Sequence, residues 1–463
     1  MTAPASWIDA PAPPLGENRL PEERQADFWI RAFVLFEIAC QLAVIGPLGS
    51  IRTLLRIASF GASLAFIFLV RGQKRAHPAQ NTAAVVVVIL LLSVVNPTAA
   101  ALPAALAQVA LYVAILGPLW WVPRLQVTGK TLRTLLYTLW GFYSIGALVG
   151  VLQVYFPGRF QPNVSPVVLA LGHGYVESLK IVTSGGVEVF RPMGLTDVPG
   201  GASSSALYAV ILGIGVFITA ERRWLSATAI GTVLIGLVCL YLSQVRAMMV
   251  VAGISIVGVT AVLVIRRDYR RVASFGVVVV AMAIASFRGA RSLAGGSVER
   301  RVQSLAQGTP EQVYMRNRGG FLVETFEDLL PEYPLGAGAG RWGMMQAYFG
   351  DRSNPNEALW AEIQWAGWVL DGGAPLLLAY CWMLGITLLV TLRLARRRFR
   401  SDPRLPLWAA VILGYSVGTC AFTFSYPVFL SQTGMEFWLL NLALFAAART
   451  QAQYDAHLDL VGP

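Results

Sequence analysis

The chain has 463 residues, 56% hydrophobic and only 13% charged, with a mean hydropathy of +0.60, whereas soluble globular proteins carry about 25% charged residues. A water-soluble fold is excluded. Lys and Arg number 36 against 25 Asp and Glu, a net charge of +11, and in a soluble protein that surplus would suggest a nucleic-acid partner; here its location decides its meaning.

Residues 1–27 are polar and Pro-rich with no signal-peptide pattern, which predicts a flexible cytoplasmic tail followed by an uncleaved first span. Apolar stretches long enough to cross a bilayer, roughly 17 to 25 residues, lie near 28–49, 51–70, 82–97, 98–122, 131–156, 203–220, 225–243, 246–265, 272–287, 367–392, 405–424 and 427–448. The fold expected is all-α, a polytopic integral membrane protein of about twelve transmembrane helices. Arg31, Glu37, Arg52 and Arg56 interrupt the first two. The membrane part divides into 28–287, containing an outer loop at 157–202, and 367–448. Between them lies a long helical outer loop at 288–366, and residues 449–463 form a second cytoplasmic tail.

Orientation follows from the short basic connections, since positive charge is retained in the cytoplasm. Arg71, Lys74 and Arg75 follow the second span; Arg124, Lys130 and Arg133 border the fourth and fifth. Arg222 and Arg223 follow the sixth, Arg266, Arg267, Arg270 and Arg271 the eighth, and Arg393, Arg396, Arg397, Arg398, Arg400 and Arg404 the tenth. Every second connection is basic, which puts both termini inside. The surplus is thus a topology signal, and no nucleic-acid partner is needed. The two long connections fall outside, where loops of that length usually carry function.

Cys40, Cys239, Cys381 and Cys420 fall inside apolar spans and read as core residues. His77, His173 and His457 form no metal-ligand spacing, and no phosphate-binding glycine loop is present. No metal and no cofactor is expected.

Four outer segments carry candidate chemistry, each with a plainer reading beside it. In FRPMGLTDVPGGAS, 190–203, Arg191 could bind an anion or snorkel at the interface, while the glycines and prolines suit turns. In YLSQVRAMMV, 241–250, Arg246 stands at a bilayer boundary on the side where positive charge is not retained. Over 317–343, Phe321, Leu322, Thr325, Leu329 and Leu330 share one helical face and Glu324, Glu327 and Asp328 the other. Gly336, Gly338 and Gly340 follow, suited to close backbone packing or to offering amides to an anion beside Arg341. In NPNEALWAEIQWAGWVLDGG, 354–373, Asn356 and Glu357 either cap a helix or do chemistry. Trp360, Trp365 and Trp368 either stack on sugar rings or form an interfacial belt.

These segments together resemble the O-antigen ligase and polysaccharide polymerase superfamily of bacterial envelopes. Its pattern is a Ser-Arg turn between two spans, an Arg in a long periplasmic loop, Pro-Leu-x-Gly-x-Gly about 16 residues later, then His-Asn-x-x-Leu and a Gly-rich helix entry. Arg246 matches the turn with Val245 in place of the serine; Arg318 stands 16 positions before Pro334; PLGAG at 334–338 is similar to the glycine motif with its glycines one position earlier, and Asn356 and Leu359 fit the last element. Pro355 stands where the ligases have histidine.

The resemblance implies a metal-independent, inverting glycosyltransferase of the inner membrane, with its active site periplasmic. Its donor is an undecaprenyl-diphosphate-linked oligosaccharide and its acceptor a glycan. Arg191, Arg246 and Arg318 would bind the diphosphate, with Arg341 in reserve and Asn356 and Trp360 at the sugar; Glu357 would act as base. The missing histidine favours a polymerase of O-antigen or exopolysaccharide repeat units, with membrane lipids around it and a flippase and chain-length regulator as partners. The alternatives are a ligase transferring polymer to lipid A core or another acceptor, a transporter or flippase, and a structural assembly subunit. Against a transporter, ERRW at 221–224 is a very short central link, and Glu37 and Glu436 are the main ionisable groups deep in the spans.

Overall fold

The computed structural model describes residues 19–45, 51–72, 76–99, 101–164, 166–169, 172–183, 185–350 and 359–461. Helices account for about four-fifths of them, and the sheet among them is a two-stranded antiparallel hairpin, Lys180–Val182 with Glu188–Phe190. Every stretch expected to span is helical: Arg19–Ile45, Arg52–Leu69, Gln80–Val94, Leu102–Leu116, Gly129–Tyr155, Ala202–Thr219, Arg223–Ser243, Arg246–Ile265, Tyr269–Ala294, Gln364–Arg396, Leu405–Phe422 and Gln432–Val461.

Among the described residues nine of these are long and apolar enough to cross a membrane, or ten if Leu102–Leu116 and Pro118–Arg124, bent by 44°, form one span. The expected count of twelve is therefore too high by that measure. Gln80–Val94 has 15 residues, about 22 Å at 1.5 Å per residue, against a hydrocarbon core of about 30 Å. Gln432–Val461 is diluted by polar groups that the bundle satisfies internally. Asn441 bonds Thr391 at 2.8 Å and Ser416 at 2.9 Å, and Arg449 donates to the Pro123 carbonyl.

The helix faces turned outward are apolar. Phe68 is 80% exposed, Val277 72% and Trp382 68%, the inverse of a soluble protein and the arrangement a lipid solvent allows. The interior is close-packed: Trp368, Tyr380, Phe429 and Trp438 form one aromatic cluster.

The connections sort to two ends of the bundle. At one end Arg133 pairs with Asp402 at 2.6 Å, Glu221 with Arg404, Tyr454 with Glu23, and the Arg400 amide with Asp455. The basic connections gather there. At the other end, Asp197 of the first long loop accepts two bonds from Arg56, at 2.6 and 2.8 Å, and pairs with Arg52 at 3.3 Å. The arginines that interrupt the second span thus hold the loop down. Arg31 pairs with Asp27 at 2.8 Å. The ninth helix runs to Ala294, so Arg288 and Arg291 belong to it and the second long loop begins later than 288.

Candidate functional site

The hairpin ends at Arg191, whose amide bonds the Leu179 carbonyl at 2.9 Å and whose guanidinium bonds the Ser178 carbonyl at 2.9 Å. Just beyond, Gln153, buried in the helix Gly129–Tyr155, accepts from the Met193 and Gly194 amides and donates to the Gly194 carbonyl, each at 2.8 Å. Gly194 has φ +65°, and a Cβ there would stand 2.9 Å from the Gly146 carbonyl oxygen, so this turn admits only glycine. Gln153 and Gly194 therefore fix where the chain carrying Arg191 leaves the membrane.

Arg246 opens the helix Arg246–Ile265 after a turn through Gln244, at φ 54°, and Val245. Its Nη1 donates to Asn317 Oδ1 at 2.8 Å. Asn317 sits on a π-helical turn, Met315–Gly319, within the continuous helical stretch 310–332; such insertions commonly mark functional positions. The helix Gly296–Ala306 brings in a third cation, Arg301, whose Nε donates to the Gln244 carbonyl at 2.9 Å.

Arg191, Arg246 and Arg301 stand close enough to repel one another. Burial first, then Arg246 and Arg191, push the Arg301 guanidinium down to about 10; burial also lowers Arg191, with Arg246 adding to the effect. The Nε atoms of Arg191 and Arg246 are buried without a hydrogen-bond partner. None of the three forms an ion pair with a carboxylate among the described residues. Guanidiniums with unused donors are the chemistry that binds anions, and the buried Nε groups of Arg191 and Arg246 are such donors.

Arg301 was not among the residues expected here. Its signal lies in the spacing of Val298, Arg301, Val302 and Leu305, which share one face of a short amphipathic helix while Arg300 points to water. Arg318, expected in the clamp, is engaged elsewhere: it forms an ion pair with Glu362, whose other carboxyl oxygen accepts from Trp360 Nε1 at 3.1 Å. Trp360 is exposed, whereas Trp368 is buried and stacked on Tyr380 at 4.7 Å, a core residue and no part of a sugar platform. Asn356 and Glu357 lie outside the described residues. His173 is exposed on the short helix His173–Ser178, 3.7 Å from Glu177.

The glycine motif does close backbone packing. The helix Gln364–Arg396 breaks at Gly372 and Gly373, where φ is +63° at the latter. PLGAG fills the break: the Ala337 amide donates to the Leu370 carbonyl at 2.8 Å, and the Ala374 amide to the Pro334 carbonyl at 2.9 Å. Backbone groups freed by the kink are thereby satisfied. Buried Asp371 locks the joint, accepting from Gln108 at 2.8 Å, Tyr112 at 2.9 Å and Trp342 at 3.0 Å. Arg341 sits beside this joint, its Nη1 3.4 Å from the Ala337 carbonyl.

A cavity of about 530 Å³ opens between the first, second and fourth helices, Met344 to Phe349, and the 196–198 turn. Its walls are mostly apolar, including Leu55, Phe60, Leu64, Leu111 and Leu430. Tyr426 lines it, and Tyr175 lies within electrostatic reach of both Tyr426 and Arg191.

No protein-family model matches the chain, and no curated protein matches it.

Proposed function

We propose that the chain is a membrane glycosyltransferase that polymerises undecaprenyl-diphosphate-linked oligosaccharide repeat units at the periplasmic face of the inner membrane, with both termini cytoplasmic. The observation that carries this reading is the cluster of Arg191, Arg246 and Arg301 without a carboxylate partner among the described residues, in a bundle that also holds an apolar cavity. A lipid-linked diphosphate has both halves of the complementary chemistry, an isoprenoid tail for the cavity and four or so anionic oxygens for the guanidiniums.

In the reaction the acceptor hydroxyl attacks the anomeric carbon of the donor sugar, the bond from that carbon to the diphosphate oxygen breaks, and the polyprenyl diphosphate leaves with the electron pair. The leaving oxygen gains charge as the bond lengthens, and fixed guanidiniums stabilise it most at that moment. The hydroxyl proton passes to a base. Glu357 is the carboxylate assigned that role; Glu362, on the same segment, is already engaged by Arg318 and Trp360.

The test is polymer formation from lipid-linked repeat units by the purified protein in liposomes. Arg191→Ala and Arg246→Ala each remove polymer and leave the protein inserted and monodisperse. Polymer of full length from both variants would refute the clamp. Accumulation of long lipid-linked polymer in cells lacking the protein, in place of single repeats, assigns it instead to the ligases.

A further inference from the structure

Glu37 of the first helix and Glu436 of the last are both buried, 2% and 1% exposed, and the bundle sets them near enough for their charges to interact. Their surroundings differ. Glu436 receives hydrogen bonds from Tyr143, Tyr208 and Gln432. Glu37 receives none; both its carboxyl oxygens are buried without a partner, and its side chain lines the cavity of about 530 Å³.

The titratable groups facing the pair are Cys40 on Glu37's own helix, Tyr143 from Gly129–Tyr155, Tyr208 from Ala202–Thr219 and Tyr415 from Leu405–Phe422, the last two with hydroxyls 2.5 Å apart. From the second helix, Arg52 and Arg56 are committed to Asp197. No Lys or Arg among the described residues exerts an electrostatic effect on either carboxyl. Two carboxylates in an apolar interior cannot both stay ionised without a cation, and hydrogen-bond donors favour the charged form of the group that receives them. Glu436 is the carboxylate with donors. Glu37 is the one left to carry a proton, and it faces the cavity, which provides the route for exchange.

We propose that Glu37 and Glu436 form a binding site for a single exchangeable proton at the cavity wall, with Glu37 holding it. The site is independent of whether the chain transfers glycans. A ligand in the cavity meets a neutral hydrogen-bond donor when the proton is present and a carboxylate when it is not.

Dicyclohexylcarbodiimide, an apolar reagent that adds to protonated carboxyls, tests this on the full chain in detergent across pH 5 to 10, with the adduct located by mass spectrometry. Glu37 is labelled at the acid end of the range, and the rate falls about tenfold per pH unit above its midpoint. Glu37→Gln removes the adduct. Glu436→Gln leaves Glu37 reactive but shifts the midpoint by about one pH unit, the effect of deleting a charged neighbour. Absence of label on Glu37 in the folded wild-type chain, or a rate flat across the range, overturns the site, and neither reading depends on a variant folding. A midpoint unchanged in Glu436→Gln overturns the sharing. Slower labelling in sodium than in choline at equal pH and ionic strength assigns the site to a metal cation and overturns the proton.

Discussion

Replacing Arg301 by methionine keeps the apolar stem and removes the charge, and its two consequences run in opposite directions. In the empty site the cation is held under strain, since its guanidinium is lowered to about 10 by burial and by Arg246 and Arg191. For a fully buried group that would amount to some 3 kcal/mol; the side chain is only half-buried, and water screens the effect to about 1 kcal/mol. Losing the Nε bond to the Gln244 carbonyl costs about 1 kcal/mol. The two nearly cancel, so Arg301→Met unfolds within about 1 kcal/mol of the wild type. Binding of an anion is another matter, because a hydrogen bond to a charged group contributes about 1.5 to 3 kcal/mol, a ten- to hundredfold loss of affinity. Thermal unfolding in detergent with pyrophosphate, against chloride at equal ionic strength, reads both effects. At a hundred times its Kd, pyrophosphate stabilises the wild type by about 2.7 kcal/mol, and the variant loses most of that protection. A variant that is several kcal/mol less stable and still protected by pyrophosphate would refute the reasoning and make Arg301 a structural residue.

Two further outcomes follow from the fold. Gly373→Ala places a Cβ 2.1 Å from the Pro334 carbonyl oxygen at a φ of +63°, whereas at Gly385, in the same helix, nothing lies within 4 Å. The first loses several kcal/mol in denaturant unfolding and the second is neutral or gains up to about 1 kcal/mol; equal effects would mean that the glycine motif does not pack as described. Buried His77 accepts from the Ala79 amide at 3.2 Å, packs against Phe445, and is lowered by burial to about 3. Since the unfolded imidazole takes up a proton below about 6.5 and the folded one does not until about 3, stability falls with pH through that window, by about 1.4 kcal/mol at pH 5.5. His77→Gln flattens this acid limb, and an unchanged slope would exclude His77 as its source.

The spans were legible because a bilayer imposes one requirement on every helix that faces it, and apolar length answers that requirement directly. Gln80–Val94 and Gln432–Val461 escape the measure for opposite reasons, one too short and the other free to keep Glu436, Asn441 and Arg449 because protein surrounds it. Arg191 and Arg246 were legible as cations on the side where the topology rule gives no reason for them. Arg301 was not, because a linear count of loop charges cannot tell the arginine facing the bundle from its neighbour Arg300 facing water. Nor could sequence show Arg318 bound to Glu362, or Asp197 answering Arg52 and Arg56 across the outer end.

The motif residues and the cations divide the work. PLGAG and the Gly372–Gly373 break exchange backbone hydrogen bonds with each other, and Asp371 ties the joint to Gln108, Tyr112 and Trp342. Those groups are engaged with one another within the protein. The arginines are the reverse case: Arg191 and Arg246 keep buried Nε donors unused, and Arg301 is set against both. Such an arrangement is unfavourable in the empty protein and becomes favourable only when an anion arrives.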